Sequence, residues 1–378
     1  MSMQQPKKDP KEMRHGYTTG SCATATARAA LLALITGEAQ PESTIYLPIG
    51  RHHTFTIEEN VFSEGAVRCD TIKDAGDDPD ATHLAVIQAT VSWADTPGIH
   101  LDGGIGVGRV TKPGLAVPVG EAAINPVPRK MILTHVQEVL DEHQIERGVN
   151  VVISVPKGEE MAKKTLNGRL GILGGISILG TRGTVVPFSS SAYMASIVQA
   201  ISVAREAGCD HLVITTGGRS EKYGIAEYPD LPEEAFIEMG DFVGFTLKHC
   251  KRLGVRKVSL VGMMGKFSKV AQGVMMVHSK SAPINFEFMA ELAADVGATG
   301  EVLELVKNAN TASQVGEIMA EHGFDQFFTH LCEACCYAGL NHVRGGLTLS
   351  TSIYTMKGEL LGKADDIDEI DEANWHRG

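Results

Sequence analysis

The stretch Ser189–Gly218, SSSAYMASIVQAISVAREAGCDHLVITTGG, carries the change of rhythm that decides the fold. Three serines stand before apolar residues at helical spacing, which predicts a serine-capped helix, and HLVITTGG reads as a β-branched strand ending in glycines. The alternation continues downstream. PEEAFIEMGDFVGFTLKHCKRLG (232–254) predicts a helix, VRKVSLVGMMG (255–265) a strand, and KFSKVAQGVMMVH (266–278) the next helix, closed by His278. Three further helices to about Asn341 and a hairpin in LTLSTSIYTMKGELL (347–361) complete the series. Helices alternating with short apolar strands are the pattern of a parallel sheet with crossover connections. An α/β, Rossmann-like domain is therefore expected over 187–363.

Upstream the pattern is that of an α+β domain over 14–186. HGYTTGSCATATARAALLALITG (15–37) predicts an alanine-rich helix from Gly20 to Ile35, capped by Thr19 or Ser21 and stopped at Gly37. Its small residues Gly20, Ala23 and Ala25 leave room for something to lie against the first turn. STIYLP (43–48), HTFTIEE (53–59) and HLAVIQATVSW (83–93) read as strands, Pro128–His143 as a proline-led helix, and VNVVISVP (149–156) as a buried strand. Residues 1–13 and 364–378 are expected to be mobile tails.

Composition narrows the function classes. The net charge is −12, with six acids crowded between Asp365 and Glu372, which counts against a nucleic-acid partner. The longest apolar stretch, LGILGGISILG (170–180), is far short of the roughly 18 residues of a membrane span. Seven cysteines without regular spacing, in a chain with no visible export signal, suit a reducing compartment, so a soluble cytoplasmic protein is expected. Oligomeric state stays open, a homo-oligomer included.

Open α/β sheets bind ligands where strands lead into helix N-termini. In VITTGGRSEKYG, Thr215 and Thr216 precede Gly217 and Gly218, then Arg219, Glu221 and Lys222, more functionality than a plain turn needs. LVGMMGKFSKVAQG lacks the first glycine of a P-loop, but its glycine turn with Lys266 and Lys269 suits an anion. LDGGIGVGRVTKPG has no dinucleotide fingerprint, because Arg109 replaces the last glycine and prolines follow. It is either tight packing or a substrate-facing loop. Arg182 between glycines suits a carboxylate fork. Cys332, Cys335 and Cys336 form a lone CxxC-type cluster, read as buried packing rather than a metal site.

HGYTTGSCATATARAAL, GGIGVGRVTKPGLAVPVGEAAINPVPRKMI, GILGGISILGTRGTVVPFSSSAYMASI, HLVITTGGRSEKY and VGMMGKFSKVAQG together resemble the CbiD family, from about His15 to beyond His278. The resemblance implies methylation of ring carbon 1 of cobalt-precorrin-5B by S-adenosyl-L-methionine, giving cobalt-precorrin-6A in anaerobic cobalamin synthesis. It implies no protein-bound metal, since cobalt arrives with the substrate. On that footing the cofactor falls to Thr215, Thr216, Gly217, Gly218 and Glu221, with Glu221 accepting from a ribose hydroxyl. The substrate's carboxylates fall to Lys112, Arg129, Arg182, Arg219, Lys222, Lys266 and Lys269, and to Thr18, Thr19 and Ser21 at the positive helix start. His278 or Glu221 would serve if a base is needed. Cys22 is not required as a nucleophile, because an activated methyl needs none from the protein. A tetrapyrrole carrier would show the same basic residues; saturable cofactor binding separates it from an enzyme. A phosphate-binding kinase is disfavoured by the failed P-loop.

Overall fold

A computed structural model describes residues 12–278 and 281–369. The chain divides into two compact units, 1–190 and 191–378, four residues beyond the boundary expected from sequence. Both are mixed α/β.

The first unit is organised around helix α1 (Thr19–Thr36). Thr18 is its cap, accepting from the Ser21 N–H, so neither Thr19 nor Ser21 plays that part; Gly37 ends it in the left-handed region. Nearly every position from Thr19 to Ala33 is buried, which is why the helix is built of alanine and small hydroxyl residues. The buried Thr24 and Thr26 hydroxyls donate back to the Gly20 and Cys22 carbonyls, leaving no orphan polar groups.

Around α1 lie the hairpin of β1 (Glu42–Leu47) and β2 (Arg51–Thr56), then β3 (Glu59–Ser63), β4 (Ala66–Ile72), β5 (Val86–Trp93), β6 (Ile99–Gly103), helix α2 (Pro126–Glu142), β7 (Val149–Ser154) and the short α3 (Gly158–Ala162). A five-stranded sheet runs β3-β4-β5-β7-β6, antiparallel except for the parallel pair β7/β6. Strand β4 was not legible in AVRCDTI, where Arg68 and Asp70 interrupt the apolar run. Helix α2 starts two residues earlier than expected, with Pro126 in its first turn. Its His135 is fixed from both sides: Nδ1 lies 2.9 Å from the Met131 carbonyl and Nε2 accepts the Tyr46 N–H at 3.0 Å.

The two glycine-rich segments of this unit pair with each other. Gly106–Val107 runs parallel to Gly175–Ile176, and Arg109–Val110 antiparallel to Ile172–Leu173. A Cβ on Gly106, which has φ +70°, would stand 1.9 Å from the Val155 carbonyl oxygen. Of the two readings left open for this stretch, tight packing is the one realised at Gly106.

In the second unit the order is α4 (Ser190–Glu206), β8 (His211–Thr215), α5 (Gly218–Glu227), β9 (Phe236–Glu238), α6 (Val243–Arg252), β10 (Lys257–Met263), α7 (Met264–Ala271), α8 (Phe286–Asp295), α9 (Glu301–Lys307), α10 (Ala312–Glu321), α11 (Gln326–Val343), β11 (Thr348–Tyr354) and β12 (Leu360–Ile367). The sheet order is β9-β8-β10-β11-β12, with only the last pair antiparallel.

Five departures from the sequence pattern stand out. The continuous helix expected over 232–254 is broken: FIE forms the edge strand β9 before α6 begins, captured by parallel pairing with β8. Helix α5 follows the TTGG turn directly. Helix α7 ends at Ala271, so His278 lies beyond it rather than closing it. Four helices, not three, precede the hairpin. The hairpin extends to Ile367, so the start of the expected C-terminal tail is strand; the remaining tail expectations at 1–11 and 370–378 lie outside the described residues.

Candidate functional site

At the carboxyl ends of β9, β8 and β10 in the second unit, the TTGG turn and the loop after β9 converge on Lys266, in the first turn of α7. Its ammonium pairs with Asp241 Oδ1 at 3.0 Å and donates to the Thr216 and Gly240 carbonyls, each at 3.4 Å. The Met239 N–H donates to the Thr215 carbonyl at 2.8 Å, and the Val277 N–H to the Asp241 carbonyl at 3.0 Å. These bonds bring the TTGG turn, the loop after β9, Lys266 and the segment leading to His278 to one edge of the sheet. His278 itself is exposed there.

The turn has the form its sequence promised. Gly217 takes φ 154° and ψ 170°, a region open essentially to glycine alone, and nothing lies within 4 Å of the place a side chain would occupy. Ser220 in α5 secures the turn, its hydroxyl accepting from the Thr216 N–H and donating to the Gly217 carbonyl. The Thr215 hydroxyl is 0% exposed and has no hydrogen-bond partner. An orphaned buried hydroxyl at the end of a central parallel strand is rare, and it lies beside a backbone open to close approach.

The expected cationic residues fall into different situations. Arg219 and Lys222 on α5 are exposed, with Arg219 Nη1 3.2 Å from the Met356 sulfur; Glu221 is half-buried in the same turn. Arg182 is exposed in the first unit. Arg129 pairs with Glu121 at 3.0 Å, and the Lys112 stem packs against Gly171. Lys269 is 5% exposed and donates to the His278 carbonyl at 3.0 Å, which makes it an anchor for that segment rather than a ligand cation. Lys266 likewise is engaged by Asp241. The anion site expected at this second strand end is therefore largely neutralised from within.

The start of α1 also departs from expectation. Ser21 is 0% exposed and its hydroxyl donates to the Gly183 carbonyl at 2.7 Å. Thr19 exchanges bonds with Leu179, accepting its N–H at 2.9 Å, and the Gly20 N–H donates to the Leu179 carbonyl. What lies against Gly20 is Pro128 of α2. The chain's own 177–183 segment thus takes the place assigned to a ligand carboxylate at Thr18, Thr19 and Ser21. Cys22 is fully buried, and burial pushes its thiol up to about 12, which removes any nucleophilic part.

Beside that helix start is a cavity of about 140 Å³, bordered by Thr18, Thr19, Lys73, Asp80, Asn167 and Ser177. Lys73 is among the largest fully buried side chains of the described residues, and its ammonium meets Asp80 Oδ2 at 2.6 Å. Asp80 Oδ1 accepts the Thr82 N–H and hydroxyl, each at 2.7 Å. Burial works to raise the Asp80 carboxyl, but Lys73 and Thr82 hold it below the ordinary carboxylate range. Sequence reasoning missed this pair, since a lysine in DTIKDAG carries no mark of burial.

No group of three or more metal-ligating side chains occurs among the described residues, and none of their helices is long and apolar enough to cross a membrane. The three clustered cysteines are buried core thiols.

Comparison with known proteins decides the family. Residues 6–187 match the CbiD family model and 276–365 the model of the CbiD C-terminal domain. The chain belongs to the CbiD family. Cobalt-precorrin-5B C(1)-methyltransferase from Geobacillus sp. (strain WCH70) is 68% identical over 94% of this chain and 97% of its own length. The protein of the same name from Priestia megaterium is 66% identical over 96% and 99%, and that from Thermus thermophilus 49% over 86% and 87%. A crystal structure of the cobalamin biosynthesis protein CbiD from Archaeoglobus fulgidus is 26% identical, covering 82% of this chain and 85% of that one, with a TM-score of 0.37.

Proposed function

We infer that this CbiD chain methylates ring carbon 1 of cobalt-precorrin-5B in cobalamin synthesis, the activity named for relatives with which it shares two thirds of its residues over nearly full length. That identity is the observation that carries the reading. S-adenosyl-L-methionine is taken as the methyl donor, and would supply a methyl group already activated by its sulfonium.

The TTGG strand end suits it: an orphaned Thr215 hydroxyl stands beside Gly217, whose backbone faces open space. In this reading Thr215, Thr216, Gly217 and Gly218 hold the cofactor on a Rossmann-like unit. Because the donor is activated and the ring carbon electron-rich, the residues position rather than attack. The exposed guanidinium of Arg219 and ammonium of Lys222, both on the second unit, pair with substrate carboxylates. Lys266 and Asp241 fix the strand ends. His278, exposed beside them, or Glu221 in the turn is the base if the macrocycle must lose a proton. The seven buried free thiols suit a reducing cytoplasm.

The test is incubation of purified protein with cobalt-precorrin-5B and the donor carrying an isotopically labelled methyl. The label should appear on ring carbon 1; transfer elsewhere, or none, would refute the assignment. Arg219→Ala should raise KM for the tetrapyrrole while leaving the unfolding midpoint in place.

A further inference from the structure

Glu238 closes β9, about twenty residues beyond Gly218, the spacing at which an acid following a glycine turn meets a nucleoside sugar in a strand–helix–strand unit. The sequence hid it inside what read as a continuous helix. In the structure all parts of such a unit are present. Strand β8 ends at Thr215, the glycine turn leads into α5, and β9 returns parallel to β8 with Glu238 in register with Thr215. Glu238 Oε1 lies 3.2 Å from the position a Cβ would take on Gly218, so the missing side chain there leaves the carboxylate facing the turn.

An aromatic pair borders the same edge. Tyr193 of α4 lies with its ring centroid 5.7 Å from that of Phe242, and its ring is 3.1–3.2 Å from the Cβ position of Gly240, the glycine two residues beyond Glu238. Burial, with Glu238 and Asp241 nearby, pushes the Tyr193 phenol up, in keeping with its place beside both carboxylates. Tyr193 still exposes 38% of its surface. A carboxylate for a diol, an aromatic wall for a base and an open glycine backbone are the recognition elements of a nucleoside.

We propose that Glu238, rather than Glu221, accepts the ribose hydroxyls of an adenosyl ligand at this strand end, with Tyr193 and Phe242 flanking its base. This rests on the placement of the cofactor at the TTGG turn. A carboxylate accepting two hydroxyl donors contributes charge-assisted bonds, and losing one side of them is worth about tenfold to a hundredfold in affinity.

Calorimetric binding of S-adenosylhomocysteine to the full chain tests it without any turnover. Four proteins are compared: the natural sequence, Glu238→Gln, Glu221→Gln and Thr215→Val. Each is checked by thermal unfolding, and Thr215→Val, which removes an already orphaned hydroxyl, should fold at least as well as the natural chain. Glu238→Gln should bind about 10–100-fold more weakly, and the 2′-deoxy and 3′-deoxy analogues should lose affinity for the natural chain but little more for Glu238→Gln. If Thr215→Val weakens binding while Glu238→Gln does not, or if the deoxy coupling appears at Glu221, the ribose assignment is overturned and the strand-end site stands. If both Thr215→Val and Glu238→Gln bind as the natural chain does, or if that chain binds no S-adenosylhomocysteine, the site itself is refuted.

Discussion

Breaking the Lys73–Asp80 pair should destabilise the first unit in a strongly asymmetric way. Lys73 is 1% exposed, whereas the Asp80 side chain retains 24% of its exposure and two bonds from Thr82. Lys73→Met therefore leaves a carboxylate that water and Thr82 still serve, at a cost of about 2–3 kcal/mol, below the usual range for a broken buried pair. Asp80→Asn leaves an ammonium sealed from water, and the full cost of about 3–5 kcal/mol applies. In the double variant neither charge remains, and the methionine fills much of the lysine's volume; the loss should shrink to about 1 kcal/mol. The coupling in this cycle is thus several kcal/mol, far above what an exposed ion pair gives. For a unit of this size each kcal/mol moves the midpoint by ~2–4 °C, so Asp80→Asn should fall by about 10 °C. Trp93 in β5 reports the transition in a Trp375→Phe background, by urea and by heat. Equal losses in the two single variants, or a double variant no better than the worse single one, would refute the account of a buried, mutually dependent pair.

Three further outcomes follow from the structure. Gly106→Ala places a Cβ 1.9 Å from the Val155 carbonyl oxygen in a left-handed conformation, and should cost about 2–5 kcal/mol in urea unfolding; a loss under 1 kcal/mol would show that the paired glycine segments yield easily. All seven thiols are buried, and burial pushes Cys22, Cys69, Cys250 and Cys336 up to about 12, so a thiol-specific disulfide reagent should find no reactive group in the native protein at neutral pH and seven after denaturation. Burial, and then Lys257, hold the His211 imidazole down at about 4 against an unfolded value near 6.5. The unfolded chain therefore takes up this proton first, so stability present above pH ~6.5 is lost as the pH falls toward 4; His211→Gln should flatten that part of the urea-midpoint profile, and an unchanged slope would refute it.

Much of the candidate site was written in local sequence. A β-branched strand followed by TTGG dictates an exposed turn at a strand end wherever the strand is placed, because Gly217 alone can take the backbone angles found there. Alternating helix and strand likewise announced a parallel sheet. The limits were equally physical. FIE has no helical or strand preference strong enough to stand out from the helix-forming residues on both sides, and becomes a strand only because β8 offers an unpaired edge. Glu238 reaches the turn through that pairing.

Charge identity was legible in the sequence, but charge availability was not. Lys269 and Arg219 look equivalent as letters, yet one is spent on the His278 carbonyl and the other remains exposed. The hydroxyls of Thr19 and Ser21 looked ready for a ligand until the 177–183 segment, about 160 residues away in sequence, took their bonds. Local propensity and motif announced most of the helices and strands and the family the chain belongs to. Only the tertiary structure decided which polar groups are left over for a ligand, because hydrogen-bond partners and burial are set by residues distant along the chain.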